Sequence, residues 1–139
     1  MKSLRISCQL FYTTPTIDPL RKRIRIHRET LKQLHYPAYV QFLVNPEKSY
    51  MAVLGSDQPL RGGTANRLRI NPDRLRSAQS TELYSSILLE NLSPLLGGMN
   101  PAYNYRLSGE VDAENRVAYF SLKQIQTVAR RRYHGSKET

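Results

Sequence analysis

The sequence predicts a β-rich α+β fold in which two pseudo-repeated strand–helix–hairpin units share one barrel. Three observations point there. Residues 23–34, RIRIHRETLKQL, align with 67–78, RLRINPDRLRSA, at an offset of 44, with Arg23/Arg67, Arg25/Arg69, Ile26/Ile70 and Leu31/Leu75 identical. Further on, PAYVQFLVNPEKSYMAVL at 37–54 matches PAYNYRLSGEVDAENRVAYFSL at 101–122 at an offset of 64, so the second unit carries an insertion of 20 residues. Within these blocks the leading strands alternate Arg with Ile or Leu and the later segments read as strand–turn–strand. A chain of 139 residues, 40% of them hydrophobic, suffices for a single domain spanning 1–139 with a real core.

Each element can be justified in order. Residues 3–11 alternate as a strand does, and 12–20, with two prolines, read as a loop. The first unit covers about 21–54. Its leading strand puts Arg21, Arg23 and Arg25 on one face and Lys22, Ile24 and Ile26 on the other. HRETLKQL then turns helical, with Leu31 and Leu34 a turn apart, and Tyr36-Pro37 ends it. Tyr39 to Val44 and Tyr50 to Leu54 are rich in β-formers and flank the turn Asn45-Pro46-Glu47-Lys48, which makes a hairpin. Residues 55–66 hold three glycines and a proline and read as a linker.

The second unit covers about 67–122, with the insert at 79–99. Arg67 and Arg69 alternate with Leu68 and Ile70, and Asn71-Pro72-Asp73 is a good helix start. Within the insert, Leu83, Tyr84, Ile87 and Leu88 share a helical face, which predicts a helix over 80–92 with Leu83, Ile87 and Leu88 buried. A hairpin with its turn at DAEN follows. Leu122, Ile125, Val128 and Ala129 then predict a C-terminal helix, and 130–139 form a basic tail.

Charge bounds the partners. Twenty-one Lys and Arg against eleven Asp and Glu give a net charge of +10, a field that attracts polyanions. Most of the basic residues are arginine, which grips phosphates and guanine edges in a bidentate way that lysine cannot. Residues 21–32 carry six cations (Arg21, Lys22, Arg23, Arg25, Arg28 and Lys32), and 67–76 carry four (Arg67, Arg69, Arg74 and Arg76). These ten are the candidate DNA-binding residues. No apolar run is long enough to span a membrane, the N-terminus lacks a signal-peptide pattern, and the only cysteine is Cys8, so a cytoplasmic setting is expected.

The strand, short helix and hairpin resemble the AbrB/MazE-type swapped-hairpin regulators. The residues that carry the resemblance are Arg23, Ile24, Ile26, Leu31 and Leu34 in the first unit, and Arg67, Leu68, Ile70 and Leu75 in the second. Where that family has Pro after Ile, this chain has His27 and Asn71, and the Gly usual after the helix is missing from the first unit. The resemblance implies an interlocked barrel whose leading-strand arginines meet duplex DNA. A tandem arrangement, as in MraZ-type members, would supply both units in one chain.

Catalytic chemistry has little to work with. His27, His35 and His134 lack metal-ligand spacing, RGGTAN lacks a P-loop lysine, and Glu110, Asp112 and Glu114 sit where a hairpin turn favours acids anyway. Tyr39, Tyr50, Tyr103, Tyr105 and Tyr119 fall in strands, where packing is the default. The expectation is a small DNA-binding transcriptional regulator, with no enzymatic activity, cofactor or metal. A homodimer is left open. The alternative is a basic interaction or inhibitor protein that docks on an acidic or nucleic-acid-processing partner through the insert helix and the tail. RNA binding ranks below both.

Overall fold

The computed structural model describes residues 5–8, 15–59, 66–73 and 80–130. It is β-rich: a nearly closed antiparallel barrel of eight strands and two short helices. The strands are β1 (Arg5–Cys8), β2 (Thr16–Asp18), β3 (Arg23–His27), β4 (Tyr39–Asn45), β5 (Tyr50–Ser56), β6 (Arg67–Arg69), β7 (Ser80–Tyr84), β8 (Tyr103–Asp112) and β9 (Val117–Ala129). The helices are α1 (Arg28–Gln33) and α2 (Ser86–Leu92), and a 3-10 turn (Ser93–Leu96) follows α2. The strand order is β6-β4-β5-β9-β8-β2-β3-β7, with β1 added beside β8. The two edge strands approach each other at the seam, where Ser85 Oγ lies 2.9 Å from Asn66 Oδ1.

The core follows from alternation. Ile24 and Ile26 point inward from β3, Val40 and Phe42 from β4, Met51 and Val53 from β5, and Ala118 and Phe120 from β9, all of them buried. Leu31 and Leu34 bring α1 onto this core, while Leu88, Leu89 and Leu92 bring α2. Burying each such side chain contributes about 1.5–3 kcal/mol. The predicted β4–β5 hairpin is present, and Asn45 Oδ1 accepts the Lys48 N–H at 3.1 Å to shape its turn.

Four sequence expectations differ from the structure. First, the loop expected over 12–20 contains β2, which pairs with β3 on one side and β8 on the other. Second, the insert does not form one helix over 80–92. Residues 80–84 form β7 against β3, with Thr81 and Leu83 inward, and α2 begins only after the Ser85 cap, whose Oγ accepts the Leu88 N–H at 3.1 Å. This shifts the helical phase, so Ile87 is 62% exposed, and Leu89 and Leu92 are buried in its place.

Third, residues 122–129 form the second half of β9 and not a C-terminal helix. The cause is a bulge. Leu107 faces Ile125, but Gly109 faces Phe120, so five residues of β9 advance against two of β8. Ser121 Oγ accepts the N–H groups of Lys123 and Gln124 there. The extra residues turn a two-residue period into a spacing that imitates a helix. Fourth, the linker expected from residue 55 starts later, because Gly55 and Ser56 still pair within β5; its residues 60–65 lie outside the described residues, as do 131–139 of the tail.

Candidate nucleic-acid interface

The outward face of β8, β2, β3 and β7 is built around one carboxylate. Asp18 ends β2 with its side chain 4% exposed. Its register partner is Arg23, whose own register partner on β7 is Tyr84. Arg130 Nη2 donates to Asp18 Oδ1 at 2.6 Å and to Asn104 Oδ1 at 3.0 Å, and its Nε donates to the Pro101 carbonyl at 3.1 Å. Arg23 Nε donates to Asp18 Oδ2 at 3.2 Å, and Arg21 adds its amide at 3.2 Å and its Nη1 at 3.3 Å. Burial by itself would push the Asp18 carboxyl up. The Arg130 hydrogen bond, the Arg21 amide and the neighbouring guanidinium charge overcome it and hold the group down at about 2.

One row away along β3, Arg25 lies opposite Thr16 on β2 and Glu82 on β7. Its Nε is 3.6 Å from Glu82 Oε2, within ion-pair range but with no hydrogen bond to that buried nitrogen. Arg106 pairs with Thr16 from the β8 side and shares the outward face, because Tyr105 and Leu107 are buried on the other one. Lys22, exposed in the β2–β3 turn at φ 55°, is not in the strand, contrary to the expected inward placement beside Ile24. This face therefore carries Arg21, Arg23, Arg25, Arg106 and Arg130 against Asp18 and Glu82, while Lys22 lies against α2 beside Ser86 and Glu90. Tyr84, 63% exposed, stands among them with its hydroxyl 3.4 Å from Arg23 Nη1.

The other expected site residues fall elsewhere. Arg67 and Arg69 lie on β6, separated from β3 by β7 and the seam. Arg28 opens α1 and, with Arg69, lines a separate cleft of about 690 Å³. Lys32 is exposed on α1. Arg74 and Arg76 lie outside the described residues. Arg23, expected as a DNA contact, has a side chain only 15% exposed and engaged with Asp18. The composition argument missed Asp18, Asn104, Tyr84 and Arg106. Only Asp18 left a trace, as an acid three residues before Arg21. Among the described residues, no three His, Cys, Asp or Glu side chains gather as a metal site, and no helix is long and apolar enough to cross a membrane.

Comparison of the chain with protein-family models, with curated proteins and with solved structures found no match. The case for a function therefore rests on the residues themselves.

Proposed function

We propose that this protein binds duplex DNA through the outward face of β2, β3 and β8, as a small regulator without a catalytic step. The observation that carries the reading is the charge surplus at the Asp18 cluster. One buried carboxylate orients three guanidinium groups, and Arg25 and Arg106 extend the row. Pre-oriented guanidinium groups suit successive phosphates because little side-chain freedom is lost on binding. The swapped-hairpin resemblance belongs to this proposal. The β6–β4 pairing and the β8–β9 hairpin support a two-unit reading, while β2, rather than the leading strand β3, stands beside β8 where that reading would place β3. A cytoplasmic setting accompanies the reading.

The test is fluorescence anisotropy of labelled duplex DNA across a salt series. The expected log–log slope is about −0.9 for each phosphate neutralised. Arg25→Ala with Arg106→Ala should weaken binding and flatten the slope by about two such contacts. Absence of duplex binding at low salt would sink the reading.

A second reading, docking on an acidic protein, draws on exposed apolar groups at the same end of the barrel. Leu20 (54% exposed), Ile87 (62%) and Tyr103 (39%) border the arginines there. It predicts binding that survives the Arg25 and Arg106 changes and fails when Leu20 and Ile87 become Asp.

A further inference from the structure

We propose that the free edge of β9, from Ile125 to Ala129, pairs antiparallel with the same edge of a second copy and makes the protein a two-fold dimer. This inference does not rest on the DNA-binding reading. β5 covers β9 only from Val117 to Ser121, and next to that stretch the Leu122 N–H reaches the Ser49 carbonyl at 2.9 Å. From Lys123 onward, among the described residues, β9 is paired with a strand on its β8 side alone.

The phase of the ladder decides which groups are free. Along an antiparallel strand, residues alternately direct their backbone groups toward one neighbour and away from it. The Arg130 N–H donates to the Ala102 carbonyl at 2.9 Å, and Leu107, opposite Ile125, turns its own N–H away from β9 to the Pro15 carbonyl at 3.2 Å. Gln126 and Val128 therefore bond to β8, while Ile125, Thr127 and Ala129 direct their N–H and C=O groups away from it at the sheet edge. None of these three has a backbone partner on that side among the described residues. Such an edge is a template for another strand.

Composition and symmetry point to the occupant. Residues 124–129, QIQTVA, hold no charge, proline or glycine, in a chain of net charge +10. Natural edges are usually blunted by just those residues. An uncharged edge offers an acidic partner no electrostatic attraction, but it can pair with itself. A two-fold axis at Thr127 sets Thr127 against its own copy and Ile125 against Ala129 of the second copy, so all three free residues of each chain are bonded at once. Arg130, the cation at the far end of the segment, is occupied by Asp18 and adds little repulsion. Gln126 and Val128 lie opposite Arg106 and Asn104 and share their outward face, which the dimer continues across the axis. The net charge of each copy opposes the pairing, so the dimer is weak at low salt and tighter at high salt, the reverse of a complex with a polyanion.

Sedimentation velocity of the full chain over a concentration series should show a monomer passing to a dimer, with a Kd of about 10–100 µM that falls as salt rises. Thr127→Pro removes an N–H that β8 does not use and should weaken the dimer by about tenfold or more. Thr127→Lys sets two like charges face to face on the axis and should weaken it comparably at low salt. Thr127→Val keeps the N–H and should dimerise as wild type does. A thermal melt confirms that each variant is folded. Amide hydrogen exchange locates the contact: as concentration rises, the amides of Ile125, Thr127 and Ala129 should slow, whereas those of Gln126 and Val128 should be slow throughout. The proposal is overturned by a chain that stays monomeric at every concentration and salt, which would leave the edge to a strand of a different protein. It is equally overturned by a dimer in which those three amides still exchange freely, or one that both Thr127→Pro and Thr127→Lys leave intact.

Discussion

At the scale of single residues, Asp18 carries the largest electrostatic consequence. Its carboxyl titrates at about 2 in the folded chain against 3.8 as an ordinary value. The unfolded chain therefore takes up the proton first, so the stability contributed by this group is whole above pH 3.8 and is lost as the pH falls from there towards 2. Asp18→Asn should remove that acid-sensitive part of the stability curve. It should also cost about 3 kcal/mol at neutral pH, because Arg21, Arg23 and Arg130 would crowd one another without a counter-charge. Urea melts from pH 2 to 7 would check both. His35 gives a change of opposite sign. It occupies the left-handed position after α1, where its N–H reaches the Lys32 carbonyl and the Tyr36 N–H reaches the Leu31 carbonyl. Glycine is the residue this capping geometry favours, and its absence was already legible in the sequence. His35→Gly should raise stability by about 1 kcal/mol, read as a higher urea midpoint with an unchanged slope.

At the scale of elements, the β8–β9 ladder shows both what the sequence exposes and what it conceals. A Cβ on Gly109 would lie 1.8 Å from the Tyr119 carbonyl oxygen and 2.8 Å from Phe120 Cα, so the two strands approach at the bulge as only glycine permits. Gly109→Ala should cost about 3 kcal/mol or more, since backbone rather than a flexible side chain would have to move; a thermal melt would show it. The same bulge made the end of β9 unreadable: Leu122 and Ile125 sit three apart because Ser121 to Gln124 loop out of register with β8, and Val128, opposite Asn104 on the other face, completes a helical spacing by coincidence. Where no bulge intervenes, as in β3 and β4–β5, alternation and turn chemistry made the elements legible. The site was legible only in part. Arg23 and Arg25 announced an arginine face through their spacing. Asp18 lies only five residues before Arg23, but in a segment that reads as a loop, and Arg106 and Arg130 come from far along the chain and meet them only through pairing, which composition does not encode. Burial of Arg23 was illegible for the same reason, because it depends on Tyr84 and Asp18 closing over it from two sides.

At the scale of the whole molecule, two kinds of charge must be separated. The net charge of +10 acts as a diffuse self-repulsion across the surface, which salt screens with a Debye length of about 10 Å at 0.1 M. The Asp18 cluster is buried and escapes most of that screening. Salt alone should therefore raise thermal stability modestly by relieving repulsion. A bound polyanion relieves the same repulsion and adds mass action. Duplex DNA at a hundredfold excess over its Kd should add about 2.7 kcal/mol, or roughly 10 °C in melting temperature for a domain of this size. The two effects run in opposite directions when combined. As salt rises, the melting temperature of the free protein climbs while the DNA-induced increment shrinks, because counterion release drives the binding. Melting curves at several salt concentrations, with and without duplex, should thus converge at high salt. Arg25→Ala with Arg106→Ala should bring them together at lower salt, with the curve of the free protein barely altered. No duplex-induced increment even at low salt would instead move the molecule from nucleic-acid binding to protein docking through the exposed Leu20, Ile87 and Tyr103.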